Sequence, residues 1–241
     1  MKLVGKTETF KEFVGIADGI NALELRIHIE EDKIWYRVVD TGNVAMAAVE
    51  IPIAAFNECS FTPQIFCMDV VKFKNVFGYG GKEISITRES EEANSITVES
   101  GGYKSVQTLL HDSTVKKDPN MPELNLDGIV EMPGKELSAA IKNISVESDK
   151  IRFIVKDHVF TLKSENDGQD NVERPFLSDE LLNIVGFGNS LFSTDYLISM
   201  ARNWGGNVKM MIGTDFPIIV ESTIAGGHGS STFLLAPRIE G

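Results

Sequence analysis

Two spacings alternate along this chain. Apolar residues recur every three to four positions in four stretches, and every second position in many shorter runs between them. Phe10, Phe13, Val14, Ala17 and Ile20 predict a helix over 8–21 with one buried stripe. Gly15 and Gly19 weaken it, each by up to about 1 kcal/mol relative to Ala. Leu197, Met200, Ala201 and Trp204 predict a helix over 193–206, capped by Ser193 or Thr194, with Asp195 in its first turn and Gly205-Gly206 as its stop. Leu137, Ala140, Ile141 and Ile144 predict a helix over 134–146, opened by Pro133. The remaining helix is predicted over 68–82, again ending in paired glycines.

The period-two runs predict strands at 23–29, 34–39, 44–51, 84–87, 95–99 and 104–110 in the first half. In the second half they fall at 128–132, 151–156, 159–163, 181–185, 208–212, 218–224 and 232–235. Asp40-Thr41-Gly42-Asn43 and Asp157-His158 read as turns, and Glu58-Cys59-Ser60 with Thr62-Pro63 as loop. His28 is expected to be exposed on the polar side of its strand. Short, mostly antiparallel strands with few isolated helices predict an α+β fold, helices on one face of the sheet.

One stretch occurs twice. Residues 68–81 and 193–206 each open on an acidic residue, carry an apolar stripe with basic residues off it, end in Gly-Gly and run into a strand. Asp69 and Asp195 are 126 residues apart, and Lys11-Glu12-Phe13 recurs as Lys135-Glu136-Leu137 after 124. A repeat of this length means two similar domains rather than a solenoid. The polar stretch from His111 to Pro122 lies at its middle. The expected division is 1–111 for the first domain, 112–125 for the connecting loop and 126–241 for the second.

Charge adds a second asymmetry. The chain has a net charge of −12, yet the helical stretches 9–21, 68–82, 134–146 and 193–206 together carry +2 and the remainder −14. An acidic protein does not coat itself in nucleic acid, but its helices could tolerate an anionic partner. Two cysteines, Cys59 and Cys67, read as free cytosolic thiols, and scattered His and Cys offer no metal spacing. Gly78-Tyr79-Gly80-Gly81-Lys82 lacks the spacing of a phosphate loop and has Glu83 where Ser or Thr is required. His228 lies among glycines with no nucleophile elbow. No run is long and apolar enough to span a bilayer. The expectation is a binding protein with no catalytic residues, no cofactor and no metal.

The tail Phe233-Leu234-Leu235-Ala236-Pro237-Arg238-Ile239-Glu240 resembles the C-terminal signature of the sliding clamps of archaeal and eukaryotic replication, the proliferating cell nuclear antigen family. Residues 191–197, Phe216-Pro217-Ile218, Val39-Asp40 with Val44, Leu110-His111-Asp112 and Met121-Pro122-Glu123 agree with that family in order, so the resemblance spans the chain. It implies a two-domain subunit of a homotrimeric ring that passes duplex DNA, is placed there by an ATP-driven clamp loader, and tethers DNA polymerase and other proteins. A subunit of a heterotrimeric ring, or an acidic enzyme without a recognisable motif, are the alternatives. The implied location is the cytoplasm at the nucleoid, or the nucleus in a eukaryote. Lys11, Lys72, Lys74, Lys82, Lys142 and Arg202 would face DNA. Val39, Val44, Met121, Pro122, Pro217, Ala236, Pro237 and Ile239 would form a groove for a partner peptide. Ser105, Val106, Thr108 and Leu110 of one edge strand would pair with Val172 and Phe176 of the next subunit. The chain departs from the family in having only Lys11 as a plain basic residue on its first helix, in a short connection after that helix, and in Pro175 within the pairing strand.

Overall fold

The computed structural model describes residues 1–166 and 171–239; the end of the acidic 164–170 stretch and of the tail signature lie outside them. The chain forms two compact units, one of residues 1–43, 47–120 and 223–231, the other of 44–46, 121–222 and 232–241. Strands of the first half are β1 (Lys2–Lys6), β2 (Glu24–Ile29), β3 (Lys33–Val39), β4 (Ala45–Pro52), β5 (Glu58–Ser60), β6 (Gln64–Asp69), β7 (Glu83–Thr87), β8 (Ser95–Ser100) and β9 (Tyr103–Thr108). Those of the second are β10 (Gly128–Pro133), β11 (Lys150–Lys156), β12 (Val159–Ser164), β13 (Glu173–Phe176), β14 (Asn183–Val185), β15 (Gly188–Ser193), β16 (Asn207–Ile212), β17 (Ile218–Ile224) and β18 (Gly229–Leu235). The helices are α1 (Thr7–Gly19), α2 (Val70–Val76), α3 (Gly134–Ile144) and α4 (Thr194–Ala201).

Sheet order makes the duplication explicit. The first unit contains the orders β5-β1-β7-β8-β9 and β4-β3-β2-β6. The second contains β14-β10-β16-β17-β18 and β13-β12-β11-β15. Adding nine to each strand number converts one unit into the other. The helices follow suit, one after the first strand of each unit and one after the sixth. Even a hydrogen bond recurs: the Thr7 N–H donates to Lys82 O at 3.0 Å, and the Gly134 N–H to Gly206 O at 2.7 Å. Each ties the start of the unit's first helix to the chain leaving its second. A Cβ on Gly134 would meet Trp204 O at 2.6 Å, so glycine is required at that approach.

The predicted apolar stripes of α1, α3 and α4 are buried, as are Val70, Phe73 and Val76 of α2. Aromatic contacts fill the unit cores, Phe13 on Tyr36 in the first and Phe153 against Phe160 and Phe192 in the second. The 157–158 turn has Asp157 and His158 both at positive φ, the mirror-image turn that suits a two-residue hairpin.

Several local expectations are corrected. The second helix does not begin at 68: Met68 and Asp69 finish β6, and the Asp69 carboxylate accepts the Lys72 N–H at 2.8 Å as an N-cap. That helix closes after a 3-10 turn at Gly80, whose φ of 88° is left-handed. Ser193 occupies the N-cap of α4 without a side-chain bond, and the Thr194 hydroxyl instead donates to Ser148 O at 3.0 Å. Glu58–Ser60 is a strand rather than loop. His28 is not an exposed strand residue: its ring stacks on Trp35 at 3.9 Å, directly across the β2–β3 ladder.

Candidate nucleic-acid and partner interfaces

The six basic candidates all lie off the apolar stripes. Lys11 on α1 bonds to Glu8 at 3.0 Å, and Lys74 on α2 bonds to Asp18 of α1 at 2.6 Å. Lys72 is exposed, and Lys82 lies beyond the 3-10 turn before β7. In the second unit Lys142 is exposed in the last turn of α3, while Arg202 is the exposed C-cap of α4. The Ser138 hydroxyl bonds to Ala201 O at 2.7 Å and holds α3 to α4. The observed helix bounds leave out Asp69, Lys82 and Arg202 and take in Glu8, which changes their charge. Within the observed bounds Lys11, Lys72, Lys74, Lys135 and Lys142 are balanced by Glu8, Glu12, Asp18, Glu136 and Asp195. The helices are therefore neutral, not +2, in a chain of −12. Exposed pairs such as Lys11–Glu8 are worth about 0–1 kcal/mol, so a phosphate can compete for either lysine.

Both candidate interface strands, β9 and β13, are edges of their sheets. β9 ends the five-stranded sheet, with Val106 63% exposed, Thr108 exposed and Ser105 half-buried. Leu110 lies past β9, and its N–H donates to Cys67 O at 2.9 Å. β13 ends the four-stranded sheet, where Pro175 sits opposite Thr161, a position that suits a residue without an N–H. Val172 is exposed. Phe176 is buried, stacked on Phe160 with the Arg174 guanidinium 4.2 Å over its ring. Phe176 thus packs its ring within its own unit, and Leu110 is half-buried.

Of the groove candidates, Val39 belongs to the first unit and the other seven to the second. The Ala236 N–H donates to Val44 O at 2.9 Å and brings those two together. Beyond Pro237, the Arg238 N–H donates to Leu191 O at 2.7 Å and its guanidinium bonds to Asp149 at 2.8 Å, which holds the Asp149 carboxyl below its usual range. Ile239 is 94% exposed, Met121 and Pro217 are half-buried, and Pro122 is exposed.

Sequence reasoning missed the cluster that pins the start of the connecting stretch. Arg26 and His28 share the polar face of β2. Arg26 pairs with Asp112, and His28 Nε2 lies 2.8 Å from Asp118 Oδ2. Arg26 Nε approaches the same oxygen at 3.6 Å, an electrostatic contact longer than a hydrogen bond. Cys67 lies beside Asp112, and burial first, then that carboxylate, raises its thiol to about 11. Two basic residues at i and i+2 on a strand, with two aspartates in the linker, were the available signal. Beside this cluster the first unit has a cavity of about 150 Å³ lined by Val38, Val39, Val115, Pro119, Arg37, Lys116 and Lys117 among others. Among the described residues no His, Cys, Asp or Glu side chains gather as a metal site would need. No helix there is long and apolar enough to cross a membrane.

Comparison with known proteins gives a consistent result. A "DNA polymerase sliding clamp" of Methanoregula boonei is 39% identical over 248 residues, covering 100% of this chain and 99% of that one. Its namesake in Methanospirillum hungatei is 38% identical with the same coverage. Among solved structures, A. fulgidus PCNA bound to the C-terminal region of FEN-1 matches with a TM-score of 0.92 at 25% identity, covering 100% of this chain and 99% of that one. A PCNA2–PCNA3 complex from Sulfolobus tokodaii shares the fold, with a TM-score of 0.85 at 17% identity over 100% of both chains. No family model matches.

Proposed function

The chain belongs to the family of DNA polymerase sliding clamps, and we propose that it closes a ring of three identical subunits around duplex DNA, where it acts as the polymerase's processivity factor. The observation that carries the ring is the equivalence of strands nine apart. Of the short segments that the two units exchange, 44–46 covers the start of β4, and 223–231 runs from the end of β17 into the start of β18. The counterparts of β4 and β18 are β13 and β9, both edge strands. Pairing β9 of one subunit with β13 of the next removes two unpaired edges, and a head-to-tail contact that closes makes a ring. Three is the number the family resemblance implies.

Inside such a ring Lys72, Lys74, Lys142 and Arg202, with Lys11 and Lys82, meet phosphates without reading bases. Retention comes from topology, so weak contacts suffice and the ring slides. Acidic residues elsewhere keep DNA off the outside. A clamp loader opens the ring, and partner peptides dock at Met121, Pro122, Pro217 and the tail. The protein works as a scaffold, without chemistry of its own, on cytoplasmic DNA. The relative bound to part of FEN-1 supports the docking role.

The test joins sedimentation equilibrium over a dilution series with loading onto circular DNA. A trimer that stays on the circle and is lost when it is linearised is the expected result. A monomer at every concentration, or equal retention on linear DNA, overturns the ring. A trimer that appears only with a second clamp chain selects the heteromeric reading, which Pro175 in β13 favours.

A further inference from the structure

One side chain ties the two sheets of the first unit together beside the strand that a ring would need. Arg88 follows β7 and is 9% exposed. All five of its guanidinium N–H groups are engaged by carbonyl oxygens. Nε and Nη2 donate to Ala93 O at 3.1 and 2.9 Å, and Nη2 donates also to Glu91 O. Nη1 donates to Gln64 Oε1 at 3.1 Å and to Ile65 O at 3.3 Å. The first set closes the β7–β8 turn on itself, and the second fastens that turn to β6, an edge of the other sheet. The turn in its place holds the end of β9: Ser95 pairs with Thr108, and the Leu109 N–H donates to Asn94 O at 2.8 Å. An open cleft of about 480 Å³ is bounded by Phe66, Cys67, Arg88, Asn94 and Leu110 among others, so side-chain packing does not fill this junction.

The second unit closes the equivalent junction through its backbone. There the turn between β16 and β17 is bonded directly to β15: the Asn189 N–H donates to Gly213 O at 2.9 Å, and the Asp215 N–H donates to Asn189 O at 3.0 Å. The Ser190 hydroxyl adds contacts of 3.1 Å to both Gly213 O and Phe216 O. We propose that Arg88 is a positioning residue for ring closure: resting on the reading that β9 pairs with β13 of the next subunit, it holds the β7–β8 turn so that Thr108 and the rest of β9 present a fixed edge. A loosened edge has to be ordered at each association, and that entropy weakens the trimer. Lysine is a poor substitute, because an ammonium is a point charge with three donors and lacks the planar fork that spans Ala93, Glu91 and Ile65.

Sedimentation equilibrium over a dilution series compares wild type with Arg88→Lys and Arg88→Met. Both variants should need about tenfold more protein to form the trimer, the equivalent of one hydrogen bond to a charged group at the low end of its usual worth. Arg88→Lys decides the matter if Arg88→Met does not fold. At a dilution where each protein is monomeric, amide exchange in the variants should speed up at Leu109 and Leu110, whose N–H groups bond to Asn94 O and Cys67 O, and stay unchanged in β17. Val220→Ala, a core change in the second unit, should lower the thermal transition and leave the trimer at wild-type strength. Unaltered trimer strength in the Arg88 variants, a weaker trimer without faster exchange at 109–110, or equal weakening by Val220→Ala overturns the proposal while leaving the ring intact. A wild-type protein that is monomeric at every concentration overturns the ring reading and this proposal with it.

Discussion

Replacing Asp118 by Ala tests whether the charge cluster on β2 holds the connecting stretch in place. The carboxylate is 23% exposed, and its partners His28 and Arg26 are 13% and 16% exposed. A hydrogen bond to a charged group contributes about 1.5–3 kcal/mol when buried. Partial exposure lowers this, and Arg26 keeps Asp112, so a loss of about 1–2 kcal/mol is expected, locally more than globally. That corresponds to a 5- to 30-fold rise in the open population of the segment, by about the usual conversion. The readout is amide hydrogen exchange at Thr114 and Val115, whose N–H groups bond to His111 O and Asp112 O at 2.9 and 3.4 Å. Protection should fall by about that factor there and stay unchanged in the buried β2 ladder. Asp112→Ala should have a smaller effect, because that carboxylate is 59% exposed. Unaltered protection at 114–115 in the Asp118→Ala protein would refute the idea that this cluster is what pins the segment.

Two further predictions follow from the same structure. Changing Lys72, Lys74, Lys142 and Arg202 together to Ala should reduce the slope of log affinity against log salt by up to about 3.6, at about 0.9 per phosphate contact, with the thermal transition unmoved; an unchanged slope removes them from the DNA-facing set. Cys67, its thiol raised to about 11, should resist alkylation in the native protein at pH 8 and react promptly once unfolded. The sign is that a raised thiol pKa leaves little thiolate below it; fast native modification at Cys67 would contradict its burial.

Much of this fold was legible because helical stripes survive translation into burial. Phe10, Phe13, Val14 and Ala17 lie inside, as their spacing required. What could not be read were strands whose apolar residues run consecutively. Phe66, Cys67 and Met68 are all buried in β6, and Leu191-Phe192 in β15, so neither alternates. In the sequence each run merged with the helix that follows it. Leu3 and Val4 hid β1 in the same way. The interface candidates were limited by direction: spacing placed Phe176 on an edge strand but could not say that its ring turns inward against Phe160. His28 was misread because only the β2–β3 register sets it opposite Trp35.

The nine-residue segment 223–231 that belongs with the first unit bears on how the chain is made. The Ala225 N–H donates to the Glu12 carboxylate of α1 at 2.6 Å, across 213 residues. β1, too, is flanked by β5 and β7, whose residues are synthesised more than fifty positions later. At about 5–20 residues per second, β1 waits several seconds on the ribosome for its neighbours, and α1 waits for nearly the whole chain. Pairings of such sequence separation are slow to close. The first half is therefore not a free-standing piece that finishes before the second begins. A cut at the connecting stretch would release an N-terminal fragment lacking part of its own unit, and the two halves, alike as they are, complete their folding together.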